Sequence, residues 1–272
     1  MSAELTFTIL GCGSSGGVPR ADGAWGACDP EEPRNHRSRC ALMVRRPSPQ
    51  GAEHETTVLI DTSPDLRLQT ARAGARRIDA VLLTHDHADQ THGVDDLRAF
   101  AMRQGVRLPT YMDAATHESM IARFDYIFRG RGGYPAICED LPLPPFGQAF
   151  AIEGPSGVIP VNTFDQDHGG VRSVGYRIAG VAYSSDVVDL PDTALEALSG
   201  LDVWIVDALR YRPHPTHFHL DKALEWIDRL KPRRAILTNM HIDLDYRTLV
   251  AQLPSGVEPA YDGQSFSVPV DS

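Results

Sequence analysis

The chain has 272 residues, of which 42% are hydrophobic and 23% are charged, and its formal net charge is −10. These totals are ordinary for a soluble globular protein and allow either one large domain or two small ones. The acidic balance argues against a broad nucleic-acid or anionic-membrane surface, which would need an excess of basic residues. It leaves a small anionic substrate open, because a bound dication can reverse the local field.

The cysteines and the N-terminal sequence indicate the cellular compartment in which the protein is expected. The four cysteines form no CxxC pair, which favours reduced thiols in a cytosol over a disulfide framework. The N-terminus lacks a basic segment followed by an apolar one, and no apolar run approaches the roughly 18 residues that span a bilayer. We therefore expect a cytoplasmic protein without a membrane partner.

Short β-type runs alternate with helical stretches along the whole chain. Alternation of this kind predicts strands at 5–10, 40–44, 57–60, 80–83, 158–164, 174–178, 181–184, 203–206 and 235–238. Helices are predicted at 64–73, 94–101, 114–123, 191–197, 220–230 and 246–253. The glycines and prolines of segment 129–150 predict a long loop, which we interpret as the seam between two halves of one domain (1–272) and as a lid over a site.

The densest chemistry lies directly after the predicted strand 80–83. There the sequence reads Thr-His-Asp-His-Ala-Asp, with His85 and His87 two residues apart and Asp89 close behind. On an extended segment both imidazoles face the same side. Imidazole and carboxylate together suit zinc, manganese or iron. The alternative is a solvated polar turn, but such density at a strand end favours a metal site.

Four more apolar runs end in a residue of the metal-ligand type: Asp61, His168, Asp186 and His241. Taken singly, the aspartates are compatible with helix caps and the histidines with hydrogen-bonded core residues. Because the strands of one sheet bring their ends together, side chains that are scattered in the sequence can converge at one edge. The repeated pattern therefore favours a single site over four unrelated positions.

These segments give the chain its resemblance to a known family. It resembles the metallo-β-lactamase superfamily, and within it most the phosphoribosyl 1,2-cyclic phosphate phosphodiesterases of phosphonate metabolism. The matching stretches are Gly11-Cys12-Gly13-Ser14-Ser15-Gly16-Gly17-Val18-Pro19, Trp25-Gly26-Ala27-Cys28, Ile60-Asp61, the His85 cluster, Ser184-Ser185-Asp186 and the His217 segment. The resemblance implies an α/β (α+β) fold, a four-layered αββα sandwich with metals at the edge of its sheets.

The resemblance also implies roles for individual residues. It implies that three histidines bind a first metal ion: His85, His87 and His168. Asp186 would bridge to a second ion, which Asp89 also binds, and Asp61 would support the histidine loop from outside the ligand shell. The implied cofactors are two divalent ions, zinc or manganese.

At two positions that bind the second ion in the family, this chain has a different residue. The superfamily motif His-x-His-x-Asp-His has Gln90 in its last place here, with His92 two residues later. In the phosphodiesterases that the chain resembles, the last strand ends Leu-Thr-His, but here Asn239 takes the place of that histidine, with His241 two residues on. If the strand continues, His241 lies on the same side and replaces the missing ligand. The roles of His92 and Asn239 stay open, and a site richer in oxygen ligands would shift preference towards manganese.

The segment before the predicted helix 220–230 contains His217 and His219. His217 matches the family histidine that contacts substrate phosphate and assists the leaving group, and His219 is the alternative; the N-terminus of a helix also favours an anion. The predicted activity is hydrolysis of a phosphodiester, a small cyclic phosphate or nucleotide, by a metal-activated hydroxide. Asp89 would orient that nucleophile, and His217 would protonate the leaving oxygen.

Other functions and assembly states stay open at this stage. A ribonuclease Z-like tRNA processor would share the metal site, but it needs a basic arm that the sequence does not show, so a nucleic-acid polymer is disfavoured as a partner. A lactamase or thioester hydrolase would share the fold. A non-catalytic binding protein would explain Gln90 and Asn239 as signs of a decayed site. The expected partner is a small phosphate-containing substrate, and a homodimer is left open.

Overall fold

The computed structural model describes residues 4–270, so residues 1–3 and 271–272 of the predicted domain lie outside the described part. Its strands, in chain order, are β1 (Glu4–Gly11), β2 (Ala41–Arg46), β3 (Thr56–Ile60), β4 (Ala80–Leu82), β5 (Leu108–Met112), β6 (Cys138–Pro142), β7 (Phe150–Ile152), β8 (Ile159–Asp167), β9 (Arg172–Ile178), β10 (Val181–Ser184), β11 (Val203–Asp207), β12 (Arg234–Thr238), β13 (Val257–Pro259) and β14 (Ser265–Pro269). Its α-helices are α1 (Leu66–Arg72), α2 (Ala88–Thr91), α3 (Arg98–Gln104), α4 (Ala114–Arg129), α5 (Leu220–Leu230) and α6 (Tyr246–Gln252).

The strands form two mixed sheets of similar design. The first has the order β14-β1-β2-β3-β4-β5-β6 and the second the order β13-β12-β11-β10-β9-β8-β7. In the first sheet β14 to β3 pair antiparallel and β3 to β6 pair parallel. In the second sheet β13 to β10 pair parallel and β10 to β7 pair antiparallel. Parallel neighbours need crossover connections, and most of the helices lie in these.

The two sheets pack face to face with helices outside them. Phe7 and Val44 of the first sheet share one buried core with Phe164 and Tyr176 of the second. A separate core fills the outer side of the first sheet, where α1, α3 and α4 cover it with Leu66, Ala101, Met120, Ile127 and Phe128. On the outer side of the second sheet α5 buries Leu220, Ala223 and Trp226, at the spacing of one helix face. This arrangement confirms the predicted four-layered αββα sandwich.

The sequence predicted nine of the strands near their observed positions, and helix α5 at its observed bounds. Two of the other predictions were wrong. Residues 191–197 form no α-helix, only the 3₁₀ turn Asp192–Ala194. Segment 129–150 is not one long loop, because it contains β6 and reaches the first residue of β7. Pro142 fits the end of β6 because this strand is the edge of its sheet, where a missing N–H costs no ladder bond.

The ends of several strands meet at one edge of the sandwich. The backbone N–H of Val174 in β9 donates to Thr84 O after β4 (2.8 Å), and Tyr176 Oη donates to Leu83 O (2.6 Å). A bridge between Gly13 and Met240 links the glycine-rich segment after β1 to the segment after β12. These contacts join the two sheets at the edge where β3, β4, β8, β10 and β12 end. Within residues 4–270, no helix has both the length and the apolar character needed to cross a membrane.

Candidate metal centre

Three imidazoles converge at this edge of the sandwich. His85 and His87 follow β4, and His168 follows β8. One ring nitrogen from each lies within 4.8 Å of the others, and the ring centroids are 4.5–5.1 Å apart. His168 Nε2 lies 3.3 Å from His87 Nδ1. The structure thus brings together the three residues predicted to hold the first ion.

The hydrogen bonds of these rings fit a metal ion. His168 Nδ1 lies 2.7 Å from the carbonyl oxygen of Thr216, which can only accept, so the proton is on Nδ1 and Nε2 keeps its lone pair. His85 is fully buried and its Nε2 has no hydrogen-bond partner in the described structure. Burial lowers the pKa of His85 to about 3, so this ring is neutral, the form that binds a metal. A buried nitrogen without a partner, beside two more imidazoles, is a suitable donor set for a divalent ion.

Asp61 supports His85 through Thr84. The backbone N–H and the hydroxyl of Thr84 both lie within hydrogen-bonding distance of Asp61 Oδ1, at 2.8 and 3.0 Å, and the same hydroxyl is 3.0 Å from His85 Nδ1. Burial raises the pKa of Asp61, and the two hydrogen bonds from Thr84 oppose that rise. Asp61 lies at the end of β3 with a left-handed φ of 65°, a conformation that Asp tolerates better than most residues. Asp61 thus lies beside the histidine segment and outside both groups of candidate ligands.

Asp186 lies close to both His168 and His217. It follows β10, is buried, and belongs with His168 and His217 to a second group whose ligand atoms lie within 4.8 Å of one another. Ser185 Oγ and Gln90 Nε2 donate to Asp186 Oδ2 at 2.7 and 3.0 Å. Burial alone would raise the pKa of Asp186, but the neighbouring histidines hold it below its usual value. Burial and the charge of Asp186 raise the pKa of Asp89 instead.

His217 forms a dyad with an aspartate that the sequence reasoning missed. Its Nδ1 lies 2.8 Å from Asp207 Oδ2, and Val187 N donates to the same oxygen (3.1 Å). Burial opposes protonation of His217, but the charge and hydrogen bond of Asp207 and the charge of Asp186 raise its pKa to about 9. Asp207 ends β11 after Val203-Trp204-Ile205-Val206. This is the same pattern, an apolar run followed by an aspartate, that singled out Asp61 and Asp186, so the signal was present.

Three other predicted histidines are not brought into either group. His241 contacts the guanidinium of Arg20, and its Nδ1 is 3.2 Å from Asp243 Oδ1. The extended continuation on which its predicted ligand role depended is absent, because β12 ends at Thr238 and Asn239 takes a left-handed φ of 59°.

His92 and His219 lie apart from the cluster for different reasons. His92 is exposed, and its ring packs edge-on against Phe124 at a centroid distance of 5.5 Å. His219 is the N-cap residue of α5 and makes no side-chain capping bond. Asn239, in contrast, stays beside the centre, with its Nδ2 3.2 Å from His217 Nδ1.

A cavity of about 820 Å³ opens beside the centre. Asp89, His217 and Asn239 are among the residues that line it. Basic side chains and the glycine-rich segment also line it: Arg20, Arg39, Arg210, Ser14, Ser15 and Gly16. No residue of segment 129–150 is among the residues that line this cavity, so the predicted lid over the site was wrong. A lining that combines three arginines with the carboxylates of Asp22 and Asp89 suits an anionic molecule that also contacts bound cations.

Residues 56–242 match the family model described as a β-lactamase superfamily domain. The chain belongs to the metallo-β-lactamase superfamily. The match covers more than half of the chain and contains His85, His87, His168, Asp186 and His217, so the family domain includes the whole cluster described above. The superfamily resemblance read from the sequence is confirmed.

Comparison with known proteins adds detail within this superfamily. A solved structure described as a new diphosphatase from the PhnP family has 32% identity, a TM-score of 0.85 and 98% coverage of both chains. Zinc-bound PqqB from Methylobacterium extorquens shares the fold at 18% identity, with a TM-score of 0.72 and coverage of 96% of this chain and 99% of that one. An octanoyltransferase of Porphyromonas gingivalis is 30% identical over 263 residues, which are 94% of this chain but 50% of that protein. The chain thus spans about half the length of this curated relative.

Proposed function

We propose that this protein is a metal-dependent hydrolase that cleaves a phosphodiester in a small cyclic phosphate or nucleotide. The observation that carries the proposal is the convergence of His85, His87 and His168 next to Asp186, with His217 facing the same carboxylate. The similarity to a diphosphatase of the PhnP family supports phosphorus chemistry. The superfamily itself supports a divalent metal cofactor.

The cofactor in this proposal is a pair of divalent ions, zinc or manganese. His85, His87 and His168 would hold one of them, and Asp186 and Asp89 would hold the other. When bound, such ions lower the pKa of a water molecule and neutralise charge that develops on phosphoryl oxygens. The unpartnered Nε2 of His85 supports this assignment, and so does the lone pair that the contact between Nδ1 and Thr216 leaves on Nε2 of His168.

The remaining residues would orient the substrate and move protons. Asp89 is half-buried and lines the cavity, where a carboxylate can accept a hydrogen bond from the attacking water. His217 is held by Asp207 in one orientation, with Nδ1 as the donor in that contact, so Nε2 is free to donate to the leaving oxygen. The raised pKa of His217 supports a general acid, because the ring is protonated at neutral pH.

The arginines that line the cavity favour a small anion over a polymer. Arg20, Arg39 and Arg210 lie at one cavity, and the chain as a whole is acidic. Three arginines can contact the charged groups of one nucleotide-sized molecule, whereas a structured RNA needs a basic surface that extends well beyond the site. A ribonuclease Z-like activity is the alternative, and cleavage of precursor tRNA would favour it.

The test is turnover of bis(p-nitrophenyl) phosphate by protein that has been stripped with a chelator and then supplied with manganese or zinc. We expect turnover only with metal, loss of that turnover in His85→Ala, and retention in His92→Ala, which changes an exposed histidine of the same segment. A panel of cyclic nucleotides and ribosyl cyclic phosphates would then define the substrate. Absence of turnover with either metal, despite a bound ion, would overturn the proposal and favour a non-catalytic binding protein.

A further inference from the structure

His241 lines the cavity, and within residues 4–270 it belongs to neither group of candidate metal ligands. Its backbone is fixed on two sides, because its N–H donates to Leu209 O (2.9 Å) and its carbonyl oxygen accepts from Arg37 Nη1 (3.5 Å). Only 21% of its side chain is exposed. The position of a ring that is held this firmly beside the cavity therefore needs an explanation other than metal binding.

We propose that His241 is a positioning residue, whose neutral ring holds the guanidinium of Arg20 at the cavity, where Arg20 binds an anionic group of the substrate. His241 then affects the substrate only through Arg20. This inference rests on the proposed function, because it takes the cavity to be the substrate site, and it specifies how this chain recognises the charge of that substrate.

The contact between Arg20 and His241 fixes which ring nitrogen carries the proton. Arg20 Nη2 contacts His241 Nε2, and a guanidinium can only donate, so Nε2 is the acceptor. The proton of the neutral ring is then on Nδ1, which lies 3.2 Å from Asp243 Oδ1. Burial and the charge of Arg20 lower the pKa of His241 more than Asp243 raises it, in agreement with a neutral ring. His241 thus orients Arg20 without adding a charge of its own.

The backbone of Arg20 is held as well as its side chain. Its N–H donates to Ala24 O (2.9 Å), and its carbonyl oxygen accepts from Gly23 N (2.8 Å), which closes a tight turn. The side chain passes over Gly16, where an added Cβ would lie 3.5 Å from both Cγ and Nε of Arg20. Arg20 is nevertheless exposed and lines the cavity, so a bound molecule can reach its guanidinium.

The positive charge of Arg20 has no carboxylate partner. In the described part of the chain Arg20 forms no ion pair, although Asp22 of the same turn also lines the cavity. Asp22 Oδ1 instead accepts from the backbone N–H of Ala24 (3.1 Å). Arg39 differs from Arg20 in this respect, because its Nε lies 3.1 Å from Asp65 Oδ2. The guanidinium of Arg20 is therefore available to an anion that comes from outside the protein.

Arg210 is a second guanidinium of this kind at the same cavity. Its Nε and Nη2 donate to the carbonyl oxygens of Arg212 and Pro213 at 3.1 and 2.9 Å, and it too forms no ion pair among the residues that the structure describes. Besides burial, the charges of Arg20 and Arg210 both lower the pKa of His241, so both lie near that ring. Two guanidiniums held by uncharged acceptors suit a phosphate group, which accepts charge-assisted hydrogen bonds from both.

A double-mutant cycle on Arg20 and His241 tests the inference. Binding of adenosine 5′-monophosphate to chelator-treated protein is measured by isothermal titration calorimetry, so that neither metal nor turnover contributes. Arg20→Ala should weaken binding about tenfold, the loss expected for a hydrogen bond between charged groups. His241→Ala should weaken it about fivefold, because an unheld arginine loses side-chain entropy on binding. The double variant should bind no more weakly than Arg20→Ala, since His241 acts only through Arg20.

Three further variants serve as controls. His241→Gln keeps an acceptor near the place of Nε2 and should restore most of the binding that His241→Ala loses. His241→Leu keeps bulk without an acceptor, should resemble His241→Ala, and replaces it if that variant does not fold. Arg76→Ala removes an exposed arginine that does not line the cavity and should leave binding unchanged. After reconstitution with zinc, each His241 variant should hold as much metal as the unaltered protein.

The possible outcomes separate this inference from the proposed function. Additive losses in the double variant, equal losses in His241→Gln and His241→Ala, or no nucleotide binding by the unaltered protein would each overturn the inference and leave the proposed function intact. Loss of zinc from the His241 variants would also overturn it, because His241 would then be a ligand. Absence of bis(p-nitrophenyl) phosphate turnover would overturn the proposed function, whereas the binding cycle would still show whether His241 acts through Arg20.

Discussion

Asp207 accepts a hydrogen bond from His217 Nδ1 across 2.8 Å, and this contact fixes which nitrogen of the ring faces the cavity. Asp207 is fully buried at the end of β11, where Val187 N also donates to its Oδ2. Because Asp207 accepts the hydrogen bond from Nδ1, the other ring nitrogen of His217, Nε2, can donate its proton to a leaving group. Asp207 thus acts as a positioning residue for the proposed general acid.

Asp207→Asn should lower kcat by about 100-fold on substrates whose leaving group is an alkoxide, the lower end of the range for general acid catalysis. An asparagine can present its amide nitrogen to Nδ1 and so stabilise the wrong tautomer of His217. The loss should be much smaller on a p-nitrophenyl ester, because p-nitrophenolate leaves without a proton. Equal losses on both kinds of substrate, measured by steady-state kinetics, would argue for a general structural defect instead.

Thr84→Val should weaken metal binding at the three-histidine half by about 10–100-fold, as loss of a group that orients a ligand does. The Thr84 hydroxyl links Asp61 to His85 Nδ1, and valine keeps its shape without the hydroxyl. Competition with a chromophoric zinc chelator measures the change. Thr84→Ser keeps the hydroxyl and serves as the control. If Thr84→Val bound zinc as tightly as Thr84→Ser, the hydroxyl would have no orienting role.

Gly93→Ala should destabilise the fold by about 3 kcal/mol, near the top of the usual range for overpacking. A Cβ at Gly93 would lie 1.9 Å from the backbone oxygen of Ser63, in a contact that a side-chain movement cannot relieve. Gly170→Ala is the control, because a Cβ there meets nothing within 4 Å. Urea unfolding of the two variants measures the difference. Similar midpoints would show that the loop after the histidine segment relaxes easily.

Asp245 should make stability depend on acid pH. Burial would raise its pKa, but hydrogen bonds from Thr248, from Asn35 and from the backbone of Asp29 lower it to about 2. Asn35 Nδ2 is 2.7 Å from Asp245 Oδ2, and Thr248 N is 2.9 Å from Oδ1 at the N-cap of α6. Because the folded pKa lies below the unfolded value of about 3.9, the stabilisation is complete above about pH 4 and is lost as the pH falls towards 2.

Asp245→Asn therefore tests this dependence. Above pH 4 the variant should be less stable by about 1–3 kcal/mol, because the buried amide of Asn35 loses its charged acceptor. The difference in free energy of unfolding between the two proteins should shrink as the pH falls from about 4 to about 2. Denaturant unfolding at several pH values gives both quantities, and a constant difference over that window would contradict the predicted pKa.

The sequence allowed much of the site to be predicted because strands present polar residues where their apolar runs stop. That pattern located Asp61, His168 and Asp186, and β11 carried the same pattern at Asp207, where it was overlooked. His241 does not join the cluster as predicted, because the extended backbone that would have placed its side chain there ends at Asn239. Strands β5, β6, β7, β13 and β14 were missed because they are short and four of them lie at sheet edges, where proline and polar residues are tolerated.

The central claim is that the imidazoles of His85, His87 and His168 bind one divalent ion. Anomalous diffraction from crystals grown with zinc, recorded on both sides of the zinc edge, tests this most directly. The account predicts a strong anomalous peak about 2.0–2.1 Å from one nitrogen of each of the three rings. A peak that avoids these nitrogens, or no peak in crystals of zinc-saturated protein, would contradict it.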